Sequence, residues 1–330
     1  MNSIPLQRRA LLAQAGAAGL ALAGVGAAQA ADAVADFPTR PMTIIVPFAG
    51  GSPPDVYTRL VAEKLSRRVG QPVIVDLKPG ASTTIGTTLA ARAKPDGYTV
   101  LYATNSSITA APALFRKLQY DPIKDFSAVT VMLESFFCIL VRPEDSALSL
   151  TALAERIRRD PGANAMGGGS TTAEVSNQMW RNAAKLDHAY VRYNNPNMMN
   201  DLWGGRLGAV WAPISSALQH VRAGKAHMVA VTAPARLPQL PQVPTLAETY
   251  PGVAVESWSG FFVPSATPRP LVAALYDHIV AVLKDPEIVQ RGVNEGVRPL
   301  QQTPEQSDAY VRKDLPHQRQ LLQGAGIEPA

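Results

Sequence analysis

Apolar residues fall into two alternating patterns along this chain. MTIIVPF (42–48) is continuously apolar, as a strand covered on both faces would be. A helix is expected at about 53–68, where Val56, Leu60, Val61 and Leu65 recur at helical spacing. Its start is strongly marked. Ser52 can cap it, Pro53 suits the first helical position, and Asp55 stands where a capping box places an acid. QPVIVDL (71–77) and GYTVLYA (97–103) repeat the strand pattern, with a helix near 84–94 between them. This order is βαβαβ, which predicts a parallel sheet with right-handed crossovers.

A long extended stretch, SAVTVMLESFFCILVRP (127–143), interrupts the alternation. A second series follows: helix 150–159, strand 163–167, helix 172–185, strand 188–192, helix 196–203, strand 208–212, helix 214–223 and strand 227–232. VAVESWSGFFVP (253–264) is again long and extended, and helical segments at about 269–284, 286–295 and 304–322 close the chain. Two extended segments flanking one complete series read as crossover strands between two α/β lobes. One lobe takes residues 31–130 and 255–330, the other residues 131–254. Ligands of open α/β sheets bind at the carboxyl ends of the strands. In a two-lobed chain those ends face each other across a cleft that closes by hinge motion.

Residues 1–30 are a different kind of text. Arg8 and Arg9 precede an Ala/Gly/Leu run that ends in Ala28-Gln29-Ala30. A positive start, an apolar middle and a small-x-small end make an export signal, and the adjacent arginines point to the twin-arginine route. The expected location is the periplasm, with cleavage near Ala30. No later stretch reaches the ~20 apolar residues that span a bilayer. The net charge of +5 falls to +3 without the two signal arginines, and the excess is spread along the chain, which gives no reason to propose nucleic acid. Cys138 is the one cysteine, so no internal disulfide can form, and its SFFCILV setting reads as core.

Four strand-to-helix tips carry the candidate chemistry. They are Phe48-Ala49-Gly50-Gly51-Ser52, Pro79-Gly80-Ala81-Ser82-Thr83-Thr84, Thr104-Asn105-Ser106-Ser107 and Gly167-Gly168-Gly169-Ser170-Thr171-Thr172. Each joins small backbone to hydroxyls at a helix start, a donor set for carboxylate or phosphate oxygens. Helix capping alone explains any one tip. Four at equivalent positions point further. The nucleotide loop GxxxxGK[ST] is absent, and Gly50-Gly51-Ser-Pro-Pro is not GxGxxG. There is no GxSxG or HExxH, and the histidines at 188, 220, 227, 278 and 317 lie outside the tips, which disfavours an exported hydrolase.

The text FPTRPMTIIVPFAGGSPPDV, KPGA with IG (78–81, 85–86), PDGYTVLYAT, YDPIKDFSAVT, DLWGGRL, AVTAPARLPQLPQVPTLAE and SWSGFFVPSATP runs in order from about Phe37 to Ile327. In number, order and spacing these pieces resemble the substrate-binding receptors of tripartite tricarboxylate transporters, the Bug family. The resemblance implies a two-lobed periplasmic binding protein of type II-like fold with its ligand cleft between the lobes. It implies no enzyme activity, no cofactor and no metal. The expected partners are a small carboxylate and integral membrane transporter subunits, with the receptor a monomer. A sensory receptor for a carboxylate, signalling to a membrane partner, fits the same text, and a phosphate or sulfate receptor fits the tips.

The implied ligand-binding set is Phe48, Ala49, Gly50, Gly51 and Asp55 at the first tip, then Gly80, Ala81, Ser82, Thr83 and Thr84 at the second. Thr104 and Ser106 come from the third, and Gly169, Ser170, Thr171 and Thr172 from the fourth. Arg192, Tyr193 and Asp201 complete it. The chain departs from the family where Gly-Gly-Asn is replaced by Ser82-Thr83-Thr84. A usual histidine is missing near Ala173 and Glu174, Pro-Tyr-Lys-Gly becomes Arg192-Tyr193-Asn194-Asn195, and Gly208 stands for an acid. Two readings of Arg192 stay open: a fork onto a second ligand carboxylate, or a surface arginine paired with a local acid, which strand alternation favours. Tyr193 either lines the cleft or packs. Trp211 and Trp258 have apolar neighbours that suit a core.

Overall fold

The computed structural model describes residues 36–193, 197–327 and 329. The export segment expected over 1–30 and the Asn194-Asn195 departure lie outside the described residues. The first series is β1 (Met42–Val46), α1 (Pro53–Val69), β2 (Val73–Leu77), α2 (Thr84–Ala91) and β3 (Thr99–Thr104). Two single-turn helices, α3 (Asn105–Ile108) and α4 (Ala111–Leu114), lead to β4 (Phe126–Val141). The second series is α5 (Leu150–Arg159), β5 (Met166–Gly168), α6 (Thr171–Ala184), β6 (Tyr190–Arg192), α7 (Met198–Trp203), β7 (Ala209–Pro213), α8 (Ile214–Arg222) and β8 (His227–Val231). The short α9 (Leu246–Thr249) precedes β9 (Glu256–Pro264), and α10 (Arg269–Leu283), α11 (Pro286–Asn294), β10 (Arg298–Pro299) and α12 (Pro304–Gly324) close the chain.

The strands follow the order β2-β1-β3-β9-β4-β7-β5-β6, with β8 and β10 also paired to β4. β1 pairs in parallel with β2 and β3, and β5 pairs in parallel with β6 and β7. Helices cover both faces of each parallel group, as continuously apolar strands require. In the first lobe Val46, Val61, Leu65, Leu275 and Ile279 pack on one face, and Leu101, Phe262, Trp258 and Val311 on the other. In the second, Leu153, Ile157, Trp180 and Trp211 oppose Leu140, Leu202, Leu218 and Met228.

The two long segments connect the lobes. β4 is antiparallel to β9 from Phe126↔Pro264 to Phe136↔Glu256, then pairs with β7 and β8 through Phe137–Val141. One strand thus serves both sheets. Thr232 clasps the junction. Its hydroxyl accepts the Phe137 N–H at 2.9 Å and donates to the Val255 carbonyl at 2.6 Å. Its own N–H donates to the Phe137 carbonyl at 2.8 Å, and its carbonyl accepts the Val255 N–H at 3.0 Å. The last helix adds a second tie, with Leu322 of α12 packed in one cluster with Ala110, Val175 and Val255.

Three sequence expectations need correction. The buried face of α1 is Tyr57, Thr58, Val61, Ala62 and Leu65, while Val56 is exposed. Tyr57 takes the place of Val56 and joins the core cluster that holds Val61 and Leu283. Ser52 does not cap the helix with its side chain. Pro53 and Pro54 carry no N–H, so little remains to cap, and the Ser52 hydroxyl donates to the Ala49 carbonyl at 2.6 Å. The helix expected at 84–94 stops at Ala91.

Replacing Thr232 by Val strands the Phe137 N–H and Val255 carbonyl in the interior. Urea unfolding is expected to show a loss of ~1–3 kcal/mol. Glu134, buried on β4, is pushed up to about 7 by burial and by Glu256, with its Arg298 partner offsetting part of the rise. A carboxyl raised above its unfolded value of 4.5 contributes stability that is complete below that value and lost as pH climbs through 7. Glu134→Gln should therefore flatten the fall in unfolding free energy between these two pH values, measured by urea titration at a series of pH.

Candidate functional site

The carboxyl ends of β1, β3, β5 and β7 point toward the junction of the lobes, and a cavity of about 250 Å³ opens there. Phe48, Ser52, Pro53 and Pro54 border it after β1, Thr104 and Ser106 after β3, Gly169, Ser170 and Thr172 after β5, and Pro213 and Ser215 after β7. Leu133, Ser135 and Phe137 of β4 and Ser257, Trp258 and Ser259 of β9 form its back wall, and Tyr57, Tyr102, Glu295 and Val297 complete it. A wider depression of about 510 Å³ lies at Lys64, Arg67, Arg68 and Asp285. It is an open surface groove whose Lys64 is already paired with Asp285 and Glu287, and Arg67 with Glu63.

Each tip is held by local chemistry. Gly51 adopts a φ of 76°, where a side chain would be strained. Its N–H donates to Asp55 Oδ2 at 2.8 Å, and Asp55 Oδ1 accepts from Arg59 at 2.7 Å. Asp55 is buried and supports the loop instead of facing the cavity. Gly168 is required by close packing, because a Cβ there would collide with the Tyr190 hydroxyl and with Ala173 Cβ at 2.8 Å. That approach brings the start of α6 against the sheet. Ser170 caps it by accepting the Ala173 N–H at 3.2 Å. The first N–H groups of the helix, at Thr171 and Thr172, have no intrahelical acceptor and carry the positive end of its dipole.

The hydroxyls differ in how far they are engaged. Ser257 donates to Asn105 Oδ1 at 2.8 Å, and Ser135 to the Ser257 carbonyl at 3.4 Å. The Thr104 hydroxyl is buried at the cavity and has no hydrogen-bond partner. Ser107 Oγ accepts the Thr104 N–H at 3.0 Å, one half of a capping box in which the Thr104 hydroxyl faces the Ser107 N–H without reaching hydrogen-bond geometry. A buried unpaired hydroxyl costs free energy that a ligand oxygen would recover. Two tyrosines add neutral donors. Burial pushes the Tyr57 hydroxyl up, and Tyr102 up to about 12. The Tyr102 ring packs edge-on against Phe48, at 6.2 Å between centroids.

The structure brings Phe48, Thr104, Ser106, Gly169, Ser170 and Thr172 to the cavity lining, while Ala49, Gly50, Gly51 and Thr171 are their chain neighbours. The second tip stands outside that lining. Ala81, Ser82 and Thr83 all have left-handed φ, 43°, 50° and 80°, a conformation costing roughly 1–2 kcal/mol per side-chain-bearing residue. Gly80 accepts the Thr83 N–H at 3.0 Å, and the Thr84 hydroxyl donates to Ala81 at 2.8 Å. Thr83 Oγ1 is buried without a partner. Arg192 pairs with Glu174 at 2.7 Å, the local-acid reading, and also reaches Ser82 Oγ of the opposite lobe at 3.4 Å.

Tyr193 and Asp201 hold each other at 2.5 Å, and Arg206 Nε donates to Asp201 at 2.7 Å. Tyr193 is pushed up to about 12 by partial burial and by Asp201, whose own carboxyl is held below its ordinary value by that bond and by Arg206. Neither residue borders the cavity. Trp211 is fully buried and donates to Asn177 at 3.0 Å. Trp258, also buried, donates to Asp314 at 2.7 Å, yet its ring edges the cavity. Sequence reasoning missed Tyr57, Tyr102, Ser135, Ser257, Ser259 and Glu295. The serines interrupt apolar strand runs, and that interruption was the available signal.

Comparisons with known proteins place the family and the fold. The model of the tripartite tricarboxylate transporter family receptor matches residues 57–327. A UPF0065 protein of Bordetella bronchiseptica is 31% identical over 294 residues, covering 89% of this chain and 88% of that one. The solved periplasmic binding protein BugD superposes with a TM-score of 0.82 at 30% identity, covering 89% of this chain and all of that one. Rpa4515 of R. palustris, solved with adipate, gives 0.83 at 27% identity, over 89% and 100% of the two chains.

Asp55→Ala removes the acceptor of two hydrogen bonds beneath the first tip, and unfolding of the ligand-free protein should show a loss of ~1–3 kcal/mol. Arg192→Ala breaks only half-exposed contacts, and its loss should stay within ~1 kcal/mol in the same assay.

Proposed function

This chain belongs to the tripartite tricarboxylate transporter receptor family, and from that premise we propose that it captures a small organic carboxylate between its lobes and delivers it unchanged to membrane transporter subunits. The observation that carries the reading is the convergence of tips from both lobes, with the unpaired Thr104 hydroxyl and the start of α6, on one cavity. A carboxylate there accepts hydrogen bonds from both sides and so favours the closed arrangement over the open one. We read residues 31–130 with 255–330 and residues 131–254 as the two closing bodies. The hinge is the β4–β9 junction, and the Arg192–Ser82 contact spans the closed mouth. Gly50, Gly51 and the turn Gly80–Thr84 are read as supplying further donors, directly or through water. The relative solved with adipate supports a carboxylate as the ligand class.

The cavity's hydroxyls are read as donors, not nucleophiles, since no histidine is among its described lining residues. Export through the Arg8-Arg9 segment, cleavage near Ala30 and a monomeric receptor complete the reading.

A thermal-shift screen of residues 31–330 tests it, with mono-, di- and tricarboxylates, phosphate and sulfate. A ligand at ~100 times its dissociation constant stabilises by ~2.7 kcal/mol, and a carboxylate is expected to give such a shift. A response to phosphate or sulfate with all carboxylates silent would overturn the ligand class. Thr104→Val should weaken the responding carboxylate by ~1–3 kcal/mol in calorimetry without lowering the melting temperature of the empty protein. An unchanged affinity would remove Thr104 from the grip.

A further inference from the structure

The cavity is chemically lopsided. Its donors are neutral: hydroxyls and the start of α6. Among its described lining residues none is Lys, Arg or His. Its one charged side chain is an acid, Glu295, which follows α11 and stands beside Val297. Glu295 Oε1 lies 2.7 Å from Arg291 Nε, an ion pair. Arg291 itself is not part of the lining, so its charge is already answered by Glu295. The remaining surface is apolar, with Phe48, Tyr102, Phe137 and Trp258 beside Leu133 and Val297.

One carboxylate can be held by neutral donors and a helix start, without a full positive charge. A second carboxylate in the same space would find no free cation among the described lining residues and would face Glu295, whose one cation, Arg291, is already engaged. Burying an unpaired charge is strongly unfavourable, and a like charge adds to the cost. Burial raises the Glu295 carboxyl above its ordinary value and Arg291 offsets part of the rise; in its ionised form it accepts hydrogen bonds and donates none. It therefore suits a hydroxyl or amine at the far end of a ligand. The apolar walls, aromatic in part, suit an apolar body between the two ends.

Resting on the carboxylate reading above, we infer that this receptor selects a monocarboxylate with an apolar body, preferring one that carries a hydrogen-bond donor at the end remote from the carboxylate. Glu295 is the specificity-determining residue. It excludes dicarboxylates and receives the donor.

Calorimetry with matched acids tests this. The probes are hexanoate, 6-hydroxyhexanoate and adipate, with phenylacetate, 4-hydroxyphenylacetate and 4-carboxyphenylacetate as the aromatic set. In each set the dicarboxylate should bind at least tenfold more weakly than the hydroxylated monocarboxylate. Glu295→Gln should shrink that ratio severalfold by recovering the dicarboxylate. The ratio in the unaltered protein decides the matter even if the variant folds poorly. A dicarboxylate that binds as tightly as its monocarboxylate partners overturns this inference while leaving the carboxylate reading intact. Silence from all six probes, with phosphate or sulfate binding, overturns both.

Discussion

The structure depends on one pairing: the antiparallel ladder of β4 and β9, which runs from the first lobe to the lobe junction, where β4 passes into the second sheet. β4 is buried along nearly all of its 16 residues. Its two half-buried positions are Leu133 and Ser135, and both border the cavity. Between them Glu134 points to the other face and meets Arg298. Period-2 alternation on a single strand thus separates cavity wall from hinge support. Because the strand serves both sheets, the tips of the two lobes are held opposite one another, and a cleft follows from the topology.

The cavity inherits its chemistry from what that topology places there. Strand ends supply loop turns and helix starts, so its donors are backbone N–H groups and hydroxyls. Crossing strands supply serines, and α1 and β3 supply tyrosines. Binding by neutral donors suits a receptor, which must release its ligand as well as hold it. The unpaired hydroxyls of Thr104 and Thr83 are the local cost of keeping donors ready.

Much of the architecture was legible in the chain. The long apolar runs at 127–143 and 253–264 exceed an ordinary strand, and only a strand serving two sheets needs that length. The glycine and hydroxyl tips were legible because turn chemistry is local. Reciprocal placement was not. Asp55 looked like a capping acid, but the Ser52 N–H donates to the Ala49 carbonyl at 3.3 Å, and Asp55 accepts the Gly51 N–H instead. Glu174 answers Arg192 because α6 packs over β6, a contact between segments 18 residues apart. Glu295 sits far along the chain from every tip, in a helical run indistinguishable from any amphipathic surface segment, so only the folded chain brings it to the cavity.

A crystal structure with a bound carboxylate tests the central claim most directly. The account predicts ligand density between the two lobes, with carboxylate oxygens within hydrogen-bond distance of the Thr104 hydroxyl and the start of α6. Density elsewhere, for example in the basic groove at Lys64 and Arg67, with the inter-lobe cavity empty, would contradict it.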